Sequence, residues 1–291
     1  MTRRWLLNLI LLAILGALLW VTVHEPGLEP EQAELPPLTG LTPEQIDTVK
    51  IERRDQPTVA FKRRGQGWVM TEPYETAANP MRLDSLALIA QTSSHRSFLA
   101  TDADLAGAGL ARPGVVLHLN DTVIRFGGVS PVDGRRYVEV NRKVHLITDM
   151  YYTDLVAEPA AFVARRLLPE GAHITALTLP GLRIWQRNGL WTAEPPADPD
   201  NIQALVDEWQ SAQAIKIRAG VAGAGERDAI TVQLDTASAP LTFSIVRREG
   251  TLVLFRPDPG LEFDLGPGSE ETLLELPKTT PPETEDEGTP P

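Results

Sequence analysis

The chain contains the same pattern of segments twice, and this repetition limits the folds that it can adopt. The first copy begins at Ile46 and the second at Ile174. In each copy two strand-like segments lead to a turn with glycine, then to a tryptophan, a Glu-Pro pair and a helix-like stretch, so that Trp68 matches Trp191. A repeated scaffold usually buries its shared residues to make a shape, whereas a catalytic site has no reason to recur in matching turns. The repetition therefore favours a structural or binding role over an enzyme.

The composition excludes further classes of function. A chain of 291 residues with 42% hydrophobic content can bury two cores of ordinary size. It has no cysteine, which excludes a disulfide framework, thiol chemistry and cysteine-ligated metal sites. The net charge of -12 argues against a nucleic-acid partner, because phosphate binding needs clustered Lys and Arg, and the sequence has no such run.

The first residues predict a single membrane anchor. Residues 5–23 carry no charge and are almost all apolar, close to the roughly 20 residues that a helix needs to cross the hydrocarbon core. Arg3 and Arg4 precede the run, which predicts a cytoplasmic stub at 1–4 and a periplasmic location for the rest of a bacterial inner-membrane protein. A cleaved signal peptide is the alternative, but residues 19–23 lack the small residues that cleavage needs.

A twin-arginine export signal is a further interpretation of residues 2–7, although the apolar run is more hydrophobic than such signals usually are.

The remainder of the chain divides by composition and pattern. We expect an extended linker at 24–45, a first α+β unit at 46–150, a helical connector at 151–173, a second α+β unit at 174–276, and a disordered acidic tail at 277–291.

Each unit is predicted to combine antiparallel strands with one helix. Three short strands come first, the helix follows, and four alternating segments then predict a meander with one apolar face. Asn79 is the expected N-cap of the first helix, with Pro80 at its first position. The predicted core positions are Leu83, Leu86, Ala87 and Ala90 in the first helix, and Ile202, Leu205, Val206 and Trp209 in the second.

Several short motifs of the first unit occur in a recognisable order. They are Gly67-Trp68, Thr71-Glu72-Pro73, Asp84, and the turn Gly109-Leu110-Ala111-Arg112-Pro113 that leads into the strand 115–119. In this order the chain resembles the bacterial family known as domain-of-unknown-function family 4340, over most of 46–147 and with an echo in 174–265. The resemblance implies no established catalytic residues. It implies an envelope protein, often encoded beside ABC-type export systems of the kind associated with gliding motility.

The candidate site residues have simpler structural interpretations. Trp68 and Trp191 could form aromatic platforms for a glycan, but a tryptophan after a glycine turn is more often a core plug. His118 and His145, with Glu139 and Asp121 nearby in sequence, could ligate a metal, but their spacing matches no metal motif. We therefore assign no catalytic, cofactor-binding or metal-binding residue.

Two polar patterns also receive structural interpretations. Residues 93–97, Ser-Ser-His-Arg-Ser, could suggest nucleophilic chemistry, but we interpret them as the polar end of a helix. Pairs of arginines at strand ends are expected to protect sheet edges from pairing. These pairs are Arg53-Arg54, Arg63-Arg64, Arg135-Arg136 and Arg247-Arg248.

The hairpin around Asn141 gives the sharpest local prediction. A three-residue loop, Asn141 to Lys143, would separate charged from apolar residues on the two faces, whereas a two-residue loop would mix them. The predicted pairs are Val140 with Val144, Glu139 with His145, and Val138 with Leu146. His145 would then lie on the solvated face.

The functional expectation is a non-catalytic, membrane-anchored periplasmic scaffold or accessory subunit of an envelope complex, with an ABC-type permease as the expected partner. The alternative is a ligand-binding module for a glycan or lipid, in a groove between the two units.

Overall fold

The structure, a computed structural model, describes residues 2–24, 35–220, 228–248 and 250–277. Two antiparallel sheets and a few helices make up this part of the chain, so the predicted α+β class is confirmed. The helices are α1 (Thr2–His24), α2 (Pro80–Leu88), α3 (Tyr152–Leu155), α4 (Pro199–Ser211) and α5 (Ser269–Leu274). No helix within the described residues is both long and apolar enough to cross a membrane.

The first sheet has nine strands. They are β1 (Thr48–Arg53), β2 (Gln56–Arg64), β3 (Gly67–Glu72), β4 (Thr76–Ala77), β5 (Arg96–Leu99), β6 (Val115–Leu119), β7 (Thr122–Val129), β8 (Arg136–Val140) and β9 (Lys143–Ile147). Their order across the sheet is β4-β3-β2-β1-β6-β7-β8-β9-β5.

The second sheet has eight strands. They are β10 (Ile174–Leu179), β11 (Leu182–Arg187), β12 (Leu190–Glu194), β13 (Lys216–Ala219), β14 (Ala229–Leu234), β15 (Leu241–Arg248), β16 (Thr251–Arg256) and β17 (Leu261–Asp264). Their order is β12-β11-β10-β14-β15-β16-β17-β13. When β4 is set aside, the two orders correspond strand by strand, with β3 matching β12 at one edge and β5 matching β13 at the other.

One helix of each unit packs its apolar face against the core. Helix α2 begins after Asn79, whose side chain accepts a hydrogen bond from the Arg82 N–H at 3.5 Å, as the sequence predicts. Asp198 caps α4 in the same way, through the Asp200 N–H at 2.9 Å. All eight predicted core positions of these helical segments are buried. The indole N–H of Trp209 donates to Leu273 O at 2.7 Å, which ties α4 to α5.

Residues 35–45 belong to the folded part, which corrects the predicted linker 24–45. Leu38 is buried, and its N–H donates to Thr92 O at 2.9 Å. A segment rich in Pro and Glu can still join a fold through one extended contact, because a single contact leaves no period in the sequence. The linker residues 25–34 lie outside the described residues, as does the predicted tail apart from Pro277.

The connector makes the equivalent contact in the second unit. The N–H of Leu167 donates to Ala212 O at 3.1 Å, just beyond the end of α4. An isolated β-bridge lies next to each of these hydrogen bonds. The bridge joins Pro37 to Ser93 in the first unit and Arg166 to Gln213 in the second. The correspondence between the units therefore extends to the segment that precedes each sheet.

The predicted hairpin register around Asn141 is wrong. The loop has two residues, Asn141 and Arg142, both with positive φ (50° and 62°), and His145 pairs with Val138. The prediction assumed one solvated face, whereas residues 144–147 of β9 are all buried. Ala108 and neighbouring residues cover the outer face, so alternation of polar and apolar residues does not determine this register.

Candidate functional site

The matching edges of the two sheets place their tryptophans in equivalent positions. In the first sheet Phe61 pairs with Met70, and in the second Ile184 pairs with Ala193. Both pairs face the core, and each sheet has its tryptophan two residues before the second member of the pair. These edges can therefore be compared residue by residue.

The first unit closes its edge with the chain that follows β3. Val69 pairs with Ala77 of β4, and the Ala78 N–H donates to Trp68 O at 2.9 Å. The connector then covers this segment, since the Asn79 N–H donates to Phe162 O at 2.7 Å. The arginine side chain of Arg63 lies 4.5 Å from the Trp68 ring centroid. Trp68 is consequently only 4% exposed, as predicted for a core plug.

The second unit leaves the equivalent edge open. Pro195, Pro196 and Pro199 follow β12, and the chain enters α4 without returning along the sheet. Proline has no N–H to donate to a neighbouring strand. Within the described ranges, β12 pairs with β11 alone.

The β11–β12 turn determines which backbone groups point outward from this edge. Asn188 and Gly189 form a two-residue loop with φ of 51° and 81°, and Arg187 pairs with Leu190. In such a hairpin the flanking pair exchanges hydrogen bonds, and the direction then alternates along the strand. The N–H and C=O groups of Trp191 and Ala193 therefore point away from β11. The first unit supports this assignment, because the backbone oxygen of the equivalent Trp68 accepts a hydrogen bond from the Ala78 N–H, directly after β4.

The side chains of β12 leave the edge accessible. Leu190 is 73% exposed, and Thr192 and Glu194 are also exposed. Trp191 is half-buried, with its indole N–H donating to Gln203 Oε1 at 2.8 Å. The core-plug prediction is thus wrong in part for Trp191, because no counterpart of β4 among the described residues of this unit covers the ring. An exposed strand edge of this kind can accept an extended segment of another chain.

The structure does not bring His118 and His145 together. His118 lies on β6, where its Nε2 is 3.6 Å from Glu52 Oε1, and His145 lies on β9, three strands away. Three steps between neighbouring strands separate the histidines by at least about 14 Å. Glu139 contacts Arg125 at 3.4 Å, not His145. Among the described residues, no group of three or more His, Cys, Asp or Glu could hold a metal ion.

Residues 93–97 do not form a helix end. Ser94 precedes β5, and its Oγ lies 2.8 Å from Nδ1 of His145. Burial, and secondarily the Lys143 charge, lowers the pKa of His145, so the imidazole is held neutral. A neutral imidazole beside a serine hydroxyl is the arrangement of a nucleophile and its base. Both side chains are buried, so the pair acts as a polar link in the core. Ser94 and His145 are 51 residues apart in the sequence, so no local motif indicates their contact.

Two arginines predicted to protect edges are buried. Arg136 donates to both carboxylate oxygens of Asp149, at 2.8 and 2.7 Å, and its guanidinium lies 3.5 Å from the Tyr152 ring centroid. Arg53 is also buried; it donates to Pro57 O at 2.6 Å and to Ala157 O in the connector, and burial lowers its pKa. These arginines join the first sheet to the chain that follows it. The sequence could not distinguish them from their neighbours in the same Arg-Arg pairs, since Arg54 is exposed and Arg135 is half-buried.

A comparison with known families finds one match. The family model described as "Domain of unknown function (DUF4340)" matches residues 68–236, which is more than half of the chain and includes β12. No curated protein and no solved structure matches the chain.

Proposed function

Because the chain belongs to the DUF4340 family, whose description assigns no activity, we propose a function from its own residues: a membrane-anchored periplasmic scaffold or accessory subunit that binds protein along β12. One observation carries this proposal. The first unit fills its edge with β4, whereas the same edge of the second unit is unpaired within the described residues. Strand addition at such an edge gains affinity from main-chain hydrogen bonds and specificity from alternate side chains.

The anchor and the location are part of the proposal. The apolar run 5–23 and the arginines before it support a helix with a cytoplasmic N-terminus. Trp5 and Leu12 of α1 are 72% and 74% exposed, so these side chains do not pack against the sheets. On the ground of the family resemblance, we propose an ABC-type permease as the membrane complex to which the protein belongs.

Site-specific photo-crosslinking in the native bacterium tests the protein-binding role. Thr192 is replaced by p-benzoylphenylalanine in the full-length chain, and the membrane fraction is irradiated. We expect a discrete protein adduct that disappears in Ala193→Pro, because that substitution removes an outward N–H without removing a bond to β11. A probe at the exposed Thr178 of β10, in the interior of the same sheet, is the control. Equal labelling at both positions, or no adduct at Thr192, would overturn the proposal.

A cavity in the first unit favours a second candidate, a module for an anionic envelope lipid. The cavity has a volume of about 620 Å³; Leu99 and Leu105 contribute apolar walls, and Arg142 and Lys143 contribute positive charge. Titration with a fluorescent fatty acid tests this alternative. Saturable binding that Arg142→Glu abolishes would support it, and binding that the substitution leaves unchanged would refute it.

A further inference from the structure

We propose that the occupant of the open edge is β12 of a second copy of this chain, paired antiparallel about a twofold axis through Thr192. This inference rests on the proposed function, because it names the partner of the same edge. It adds that the edge is self-complementary. Two second sheets would then join into one continuous sheet across the dimer.

The backbone geometry selects this register. A twofold axis at Thr192 places Trp191 opposite Ala193 of the second copy, so that all outward N–H and C=O groups of these residues find partners. About four hydrogen bonds form, two at each Trp–Ala pair. If the twofold axis lay between two residues, the outward N–H and C=O groups of one copy would face residues of the other copy whose own groups already bond to β11.

The two neighbouring registers lose pairs. An axis at Ala193 would set Trp191 opposite Pro195, which has no N–H. An axis at Trp191 would set Ala193 opposite Gly189, a turn residue with φ of 81°. It would also place two indole rings side by side. Only the axis at Thr192 satisfies the edge with strand residues alone.

The side chains agree with this register. The large, half-buried Trp191 would lie beside the small Ala193, and the two exposed Thr192 side chains would form a cross-strand Thr–Thr pair, which is a favourable combination. Across the dimer, Leu190 would face Glu194 of the second copy. Because Leu190 pairs with Arg187 and Glu194 with Arg183, each carboxylate would lie between arginines of the two copies. No like charges would meet directly.

The dimer should be weak in dilute solution. An edge of five residues covers less than the roughly 1,200–2,000 Å² of a stable interface. The proposed anchor would confine both copies to one membrane plane and raise their effective concentration. The pairing should therefore be trapped readily in membranes and fall off on dilution in detergent.

Disulfide trapping tests the register, since the chain has no cysteine of its own. Thr192→Cys is introduced into the full-length protein in membranes and oxidised mildly. At the axis the two Cα atoms would lie about 4.5 Å apart, within the range that a disulfide spans. Leu190→Cys and Glu194→Cys are matched controls on the same exposed face, because each would lie about 13 Å from its own counterpart. We expect at least about tenfold more linked dimer from Thr192→Cys than from either control.

Mixing the controls completes the test. Leu190→Cys and Glu194→Cys produced in one cell should form a linked heterodimer, because these positions face each other across the axis. Absence of a Thr192→Cys dimer, or equal crosslinking at all three positions, would overturn the inference. If Thr192→Cys gives no dimer while the photo-crosslinker at the same position still captures another protein, the second-copy inference fails and the scaffold proposal stands. If neither crosslink forms, both fail.

Discussion

The two units share a strand order and differ in how they end at one edge. Both place a tryptophan two residues before a buried position of the edge strand, and both follow it with a capped helix. In the first unit β4 and the connector cover that strand, whereas in the second unit prolines lead the chain directly into α4. The comparison shows that a common scaffold need not give a common surface. What the following segment covers decides whether the edge strand is buried in the core or left accessible to solvent.

Replacement of the two tryptophans should separate these edges most strongly. Trp68→Ala should reduce the unfolding free energy by about 3–5 kcal/mol, the range for a fully buried aromatic. Trp191→Ala should cost less, about 1–2 kcal/mol, because part of its apolar area is already in water. Urea unfolding measured by far-UV circular dichroism checks both values. Equal losses for the two variants would contradict the difference in coverage.

The two units can also be compared through one buried and one exposed ion pair. Asp149→Asn should cost about 2–4 kcal/mol, since it leaves the buried Arg136 without its two-fold carboxylate contact. The matched control in the second unit is Glu270→Gln, which breaks an exposed pair with Arg247 that contributes about 0–1 kcal/mol. Thermal unfolding of both variants measures the difference. If Glu270→Gln loses as much stability as Asp149→Asn, the burial of the Arg136–Asp149 pair does not explain its contribution.

The sequence predicts features that repeat or that depend on near neighbours. The Asn79 cap, the apolar face of each helix and the α+β class all follow from periods and turn residues within a short window. The bridge at Leu38, the covered face of β9 and the open edge at β12 depend on segments far along the chain. No local pattern records whether Trp191 has a strand beside it. For this reason the sequence identifies the tryptophan but not its exposure.

The buried histidine offers a pH test of the difference between the cores. His145 lies where the second sheet has Phe263, because each faces the core opposite the matching residue, Val138 or Leu254. Burial lowers the pKa of His145 below its unfolded value, so the folded state resists protonation. The associated stability is present above the unfolded pKa of about 6.5 and is lost as the pH falls below it.

His145→Phe, which installs the residue of the second unit, should therefore flatten the fall in unfolding free energy between about pH 7 and pH 5. Urea titrations at several pH values measure this slope. His173→Phe, at an exposed position before β10, changes a histidine outside the core and is the control; we expect this variant to keep the wild-type fall in unfolding free energy. A wild-type slope retained in His145→Phe would show that other groups cause the pH dependence.

The smallest expected effect concerns the turns of two hairpins, one in each unit. Asn188-Gly189 has the residues that a two-residue turn with positive φ favours, whereas Asn141-Arg142 places an arginine at φ 62°. A left-handed conformation costs a non-glycine residue about 1–2 kcal/mol, part of which glycine returns as unfolded-state entropy. Arg142→Gly should thus stabilise the protein by about 0.5–1 kcal/mol, and Gly189→Arg should destabilise it by a similar amount. Thermal melting measures both; if Arg142→Gly lowers the melting temperature, side-chain contacts of Arg142 outweigh the backbone strain.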